Sequence, residues 1–342
     1  MKHWWWKVLA VGLLLLASIA ALRIPLAPAL VHVTPDRIAP GTAVLEVTGY
    51  NTHFTEPGVM QAWLENDGGK WCARAMEVID DTHLRITSLP VPAGLHEDLS
   101  DLVLFSGTDG LLRMPQALWT EGTATAPVTE MADCVPANTR SGIFFVFPNR
   151  SILYETIRNL HFHVPMWFAM IVLMGISVVF SVMTLSTNSL AHDRSAEMAA
   201  KVGLVFCALG LLTGAVWARG TWGAFWTNDV KLNGAAVTAL IYLAYLVLRG
   251  SVQDGYKRAR LAAVYNIFAF VLLVLFLFVI PRLNAVDSLH PGNGGNSAFS
   301  DLDMDDRLRA IFYPACAGWI LLGVWMFNLR VRAARLADQL DR

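Results

Sequence analysis

The sequence predicts a polytopic α-helical membrane protein of six transmembrane helices, with an all-β, immunoglobulin-like sandwich inserted between the first helix and the second. Three observations carry that prediction. Of the 342 residues, 55% are hydrophobic and only 15% charged, a balance rarely met in a water-soluble globule of this size. Six apolar runs approach the about 17 to 25 residues needed to cross a hydrocarbon core of ~30 Å, with aromatic flanks extending the shorter ones. Between the first two runs, residues 22–159 have ordinary soluble composition. The formal net charge of -1 suggests no nucleic-acid partner.

The apolar runs cover residues 6–21, 164–185, 202–217, 232–248, 262–281 and 310–327. The first reads as a secretory signal or as an uncleaved anchor, and the three tryptophans at 4 to 6 favour the anchor, since they resemble an interfacial belt. Short-loop cations set the orientation. Lys2 and Lys7 precede the first run; Arg194 and Lys201 follow the second; Arg249, Lys257, Arg258 and Arg260 follow the fourth; Arg330, Arg332 and Arg335 follow the sixth. These ends are expected in the cytoplasm of a bacterium, with both termini there and residues 23–162 in the periplasm. Arg307 and Arg309 dissent, but Asp301, Asp303, Asp305 and Asp306 accompany them. The expected organisation is a first anchor at 1–22, a periplasmic β-sandwich at 23–125, a linker and interfacial amphipathic segment at 126–160, a five-helix membrane domain at 161–330, and a cytoplasmic tail at 331–342.

In the inserted segment, Ala43, Leu45 and Val47 alternate with Val44, Glu46 and Thr48, the period of a half-buried strand, and 83–88 and 102–105 are further strand candidates. Pro40-Gly41, the Asn66 to Gly69 stretch and Asp109-Gly110 supply turns between strands. The opening string from Val33 to Gly41, followed by Val47 to Asn51, resembles the start of an immunoglobulin-like domain of the IPT/TIG type. His32, His53, His83 and His96 are scattered without metal-ligand spacing and read as surface residues. Cys72 and Cys134 can form a disulfide in an oxidising compartment or remain thiols, whereas Cys207 and Cys316 lie in apolar runs and read as small hydrophobes.

Three features fall on the expected outer side. His161-Phe-His163-Val-Pro165 opens the second span, with Pro165 suited to a helix's first turn. The loop 217–231 carries Trp217, Arg219, Trp222, Phe225, Trp226, Asp229 and Lys231. After the fifth span comes Asp287-Ser-Leu-His290-Pro-Gly292. A haem, being a flat aromatic ring with a central metal and two propionates, asks for ring faces, axial imidazoles and cations. Trp222, Phe225 and Trp226 offer stacking area, His163 and His290 two imidazoles, and Arg158, Arg219, Lys231 or Arg282 charges for propionates. Singly, each feature has a plainer reading: a tryptophan belt, a hydrogen-bonded surface histidine, cations at lipid headgroups. The belt reading leaves unexplained why Trp217, Trp222 and Trp226 crowd one short loop. His161, two residues from His163, is expected to point elsewhere.

The loop resembles the tryptophan-rich WWD signature of the cytochrome c assembly protein family, approximately W-G-x-W-W-x-W-D. This chain reads W-G-A-F-W-T-N-D at 222–229, keeping Trp222, Gly223, Trp226 and Asp229 and replacing two tryptophans by Phe225 and Asn228. His163 in H-V-P and His290 in S-L-H-P-G are similar to that family's two axial histidines, and the six-span plan is like its haem exporter protein C (CcmC) type. The inserted sandwich departs from the short loop usual there. The resemblance implies that His163 and His290 ligate the iron of a transiently bound haem b. It also implies delivery to a periplasmic haem chaperone (CcmE type), with an ATP-binding-cassette complex driving release. No CxxCH attachment site or nucleophile points to an enzyme, and no nucleotide-binding motif is present. A secondary transporter or permease, or a haem lyase-like member of the same family, is the alternative.

Overall fold

The computed structural model describes residues 4–66, 69–91, 99–121, 145–150, 153–283, 288–290 and 304–340. The chain divides into two compact units, Ile24–Tyr154 and Met1–Arg23 with Glu155–Arg342.

The first unit is a β-sandwich. Its strands are β1 (Ala29–Thr34), β2 (Arg37–Ile38), β3 (Gly41–Tyr50), β4 (Met60–Asn66), β5 (Gly69–Cys72), β6 (Ala75–Val78), β7 (His83–Val91), β8 (Leu99–Ser106) and β9 (Gly110–Thr120). They form a four-stranded sheet ordered β1-β3-β7-β6 and a five-stranded sheet ordered β2-β9-β8-β4-β5. All pairings are antiparallel except β2 with β9. The two sheets share one core, to which Leu45, Leu84 and Ile86 contribute from one sheet and Leu64, Leu102 and Leu104 from the other. The expected alternation holds on β3, where Ala43, Leu45 and Val47 face inward and Val44 faces out. Cys72 is disulfide-bonded, while Cys134 and His96 lie outside the described residues. His53 pairs with Asp109 at 2.8 Å and His83 with Asp80 at 2.9 Å. Among the described residues no group of three His, Cys, Asp or Glu side chains is arranged to hold a metal.

Among its described residues the second unit has six helices long and apolar enough to cross a membrane, as expected. They are α1 (Trp5–Arg23), α2 (Leu160–Thr187), α3 (Leu190–Trp222), α4 (Val230–Ser251), α5 (Gly255–Val274) and α6 (Asp306–Leu340). Helix α2 is the hub, packed against α3, α5 and α6, and α1 lies along α6. Met170, Leu173, Met174, Phe206, Tyr242 and Leu273 fill the centre. A buried polar knot ties α2 to its neighbours: Asn266 Nδ2 donates to Ser177 Oγ (2.7 Å) and Ser181 Oγ (2.8 Å), and Ser177 Oγ donates to the Ala196 carbonyl (2.7 Å). Cys207 and Cys316 are free thiols within this unit.

Two boundaries differ from expectation. Helix α3 continues five residues past 217, so Trp217, Arg219 and Trp222 are helical and the connection to α4 shrinks to 223–229. Gly223 stops the helix, at φ +78°, a left-handed conformation that favours glycine. Pro165 is the sixth residue of α2 rather than part of its first turn, because a 3₁₀ segment, Tyr154–Asn159, feeds a helix that already starts at Leu160. The expected tail remains helical through Leu340, since Arg332, Ala333, Ala334 and Arg335 are good helix formers. Most of the expected linker and interfacial segment, 126–160, lies outside the described residues.

Candidate functional site

The sequence-nominated residues gather at one end of the helical unit, where α1 ends, α2 begins, α3 ends and α4 begins. Asn159 Nδ2 donates to the Thr213 carbonyl (2.9 Å) and Trp217 Nε1 to Thr156 Oγ1 (3.2 Å), pinning the start of α2 to the last turns of α3.

His163 is buried in that seam. Its Nδ1 lies 3.1 Å from the Gly210 carbonyl and 3.2 Å from Thr213 Oγ1. A carbonyl only accepts, so Nδ1 carries the ring proton and Nε2 keeps the lone pair, the tautomer that suits a metal ligand. Trp167 and Trp217 hold the ring edge-on, at centroid distances of 6.2 and 5.7 Å. The space for it comes from Gly214, where an added Cβ would sit 2.6 Å from His163 Cε1. Gly214→Ala improves helix propensity by up to ~1 kcal/mol yet must displace the imidazole. We expect it to keep the fold while weakening or altering ligand absorption at this site, as a spectral titration would show. His161 turns elsewhere, as expected: its Nδ1 lies 3.3 Å from the Arg158 carbonyl and the ring reaches the backbone of Leu308 on α6.

The second imidazole is held through Asp229. The Asp229 carboxylate caps α4 by accepting, on Oδ1, the amides of Lys231 (2.8 Å) and Leu232 (3.2 Å). Its Oδ2 accepts Ser288 Oγ and the Leu289 amide, both at 2.8 Å, and the His290 amide donates to Ser288 Oγ (3.2 Å). The His290 ring lies 3.7 Å from Asp229 Oδ1 and edge-on to Trp222 at 5.4 Å. One carboxylate thus joins the start of α4 to the segment carrying His290. Burial alone raises the Asp229 pKa, but the nearby His290 ring and hydrogen bonds from Ser288 and from the Leu289 and Leu232 amides outweigh it and hold the group below its ordinary 3.8. A depressed folded value means its contribution is complete above the ordinary pKa and fades only as pH falls through the lowered one. Ligand binding should therefore be insensitive to this group between about pH 8 and about pH 5. Asp229→Asn, which puts an amide where two donors converge, should lower affinity about 10- to 100-fold at every pH in that range.

The two histidines flank the same helix end: Trp217 touches one and Trp222 the other, five residues and about 7.5 Å of helical rise apart. His290 and Lys231 are within charge-interaction range of His163, and Lys231 within that of Arg282. Arg219 donates to the Gly223 carbonyl and sits over the Phe225 ring at 5.8 Å. Arg282 donates to the Phe278 carbonyl at 2.9 Å. Arg158 is engaged with Glu155 and the Ala21 carbonyl. Phe225 is 61% exposed and Trp226 44%, so the aromatic shelf is open. Asn228, where the resembled signature has tryptophan, accepts from Asn233 Nδ2 (2.8 Å), and Asn233 Oδ1 accepts from Trp226 Nε1 (3.3 Å). A lost ring face is replaced by a tether on the neighbouring ring. Sequence reasoning missed Gly210, Thr213, Gly214, Asn233 and Ser288. Only Ser288 had a signal, being next to the L-H-P-G string.

These features define a multi-pass membrane protein with a tryptophan-lined, histidine-flanked pole. Residues 114–341, more than half the chain, match the family model described as Heme exporter protein C. The Heme exporter protein C of Bradyrhizobium diazoefficiens is 33% identical over 132 residues, covering 38% of this chain and 50% of its own length. That of Paracoccus denitrificans is 28% identical over 195 residues, covering 55% and 78%. The Cytochrome c biogenesis protein CcsA of Prochlorococcus marinus is 40% identical over 78 residues, covering 23% and 24%. The chain belongs to the heme exporter protein C family, the type its sequence resembles. It spans about half the length of the first of these relatives.

Proposed function

We propose that the chain holds haem b transiently at the outer face of the bacterial cytoplasmic membrane and passes it to a periplasmic haem chaperone in cytochrome c biogenesis. His163 and His290 are the axial ligands. Trp217, Trp222, Phe225 and Trp226 form the apolar shelf, and Arg219, Lys231 and Arg282 are the cations that meet the propionates. Asp229 positions His290 and takes no part in ligation. Release is driven by a separate ATP-binding-cassette complex, and the chain acts as a transfer protein rather than an enzyme. In this reading both termini are cytoplasmic and the β-sandwich is periplasmic.

The observation that carries the proposal is the buried His163 ring, whose Nδ1 is occupied by the Gly210 carbonyl, so that its Nε2 lone pair is left to a ligand. A second imidazole, His290, and the Lys231 cation lie within charge-interaction range of that ring. The relatives named for haem export and cytochrome c biogenesis support the same cargo. The test is the absorption spectrum of the purified protein. A Soret band of a low-spin, bis-histidine type is expected, and a protein that takes up no haem favours the permease reading instead.

A further inference from the structure

The opposite end of the helical unit carries a different kind of site. Along the lipid-facing side of α4 and α5 runs a groove of about 600 Å³. On α5 most of its lining falls on one helical stripe, Lys257, Arg260, Leu261, Val264, Phe268 and Leu272, at the spacings that share a helix face, with Tyr265, its hydroxyl donated to the Ile241 carbonyl, and Ala269 beside it. Ile241 and Leu248 close it from α4. The two cations stand together at one end and every deeper residue on the stripe is apolar.

Exposed apolar side chains and span-end cations are each ordinary in a membrane protein; here they line one concave groove. Among the described residues neither Lys257 nor Arg260 makes a side-chain ion pair, although the Lys257 backbone amide donates to Asp254 (2.7 Å). Just inside, the charges are balanced. Arg249 is paired with Asp193 and Glu197, and Lys201 with Glu197, around a separate polar cavity that Arg258 also lines. The helix end thus sorts its cations, with the neutralised ones inward and Lys257 and Arg260 on the groove. From Leu261 to Leu272 α5 rises about 16 Å, about half of a ~30 Å hydrocarbon core, which is the depth reached by one leaflet's acyl chain.

We propose that this groove binds a phospholipid of net negative charge, its phosphate between Lys257 and Arg260 and one acyl chain along Leu261, Val264, Phe268 and Leu272. The proposal is independent of the haem reading, since no histidine lines the groove and none of its residues belongs to the other pole.

The test is native mass spectrometry of the full-length protein, released from micelles containing equal amounts of phosphatidylglycerol and phosphatidylcholine. Phosphatidylglycerol should be retained preferentially. Each surface cation near a membrane contributes about a fivefold preference for anionic lipid, so K257Q/R260Q should reduce that retention about 25-fold, towards the phosphatidylcholine level. Val264→Trp, which fills the groove and keeps both cations, should expel either lipid. R332Q/R335Q, on α6, should change nothing. Equal retention of the two lipids, undiminished retention in K257Q/R260Q, or the same loss in R332Q/R335Q would each overturn the site. If Val264→Trp fails to fold, as circular dichroism would reveal, the paired cation variants decide the matter.

Discussion

Changing His163 to Ala is expected to abolish the bound-haem absorption of the purified protein or convert it to that of a five-coordinate species, and His290→Ala to do the same. Each removes one of the two imidazoles proposed as axial ligands, and neither has a substitute at hand. His161 is nearest in sequence, but its ring is committed to the Arg158 carbonyl and faces α6, so His161→Ala should leave the spectrum intact. The His163 variant offers a sharper control. Its deletion empties a space bounded by Trp167, Trp217 and Gly214, which added imidazole should enter, restoring six-coordination. Recovery of that kind would not follow from general misfolding. If both alanine variants keep an unaltered spectrum, the axial assignment is wrong.

Arg249→Gln is expected to destabilise the helical unit by about 3–5 kcal/mol, the usual cost of stranding one member of a buried ion pair. The Arg249 and Asp193 side chains are 6% and 7% exposed, joined by two parallel bonds of 2.6 and 2.8 Å, with Glu197 at 2.9 Å as a third partner. Glutamine cannot answer both carboxylates, which are left charged in a poorly hydrated seam between α3 and α4. By contrast the more exposed pair of Arg194 with Asp338 should be worth no more than about 1 kcal/mol. Replacing Arg249 and Asp193 together by leucines should cost much less than Arg249→Gln, because no uncompensated charge remains. Equilibrium unfolding of the micellar protein in increasing sodium dodecyl sulfate measures all three. A loss below about 1 kcal/mol for Arg249→Gln would mean that water reaches the seam.

Much of this architecture is legible in the chain. Apolar runs locate all six helices because a hydrocarbon core imposes a length that few other constraints mimic, and the two-residue alternation around Leu45 gives away β3. The two imidazoles and the tryptophan-rich connection also stand out, since their residue types are costly to keep without a use. What escapes is whatever depends on which side chains meet. The end of α3 is set by the backbone of Gly223 rather than by where apolarity stops, so a hydropathy reading ends the helix at 217. Gly214 looks like any glycine in a span until a histidine 51 positions earlier lies against it. Asn228 reads as a missing ring, and only its bond to Asn233 reveals a support for Trp226. Arg249 looks like a cation after a span, although its partners lie 56 and 52 residues back.

The ion pair between α3 and α4 has a mechanical consequence. These two helices touch sparingly along their length, yet they are joined covalently through 223–229 at one extremity and by Arg249 with Asp193 at the other. The helix pair thus has one covalent tie and one electrostatic tie, the second of which a single charge change can cut. Cutting it would let the far ends splay and tilt the Trp222 to Asp229 crosspiece. A variant far from the proposed haem site could in this way change how long haem, if bound as proposed, stays.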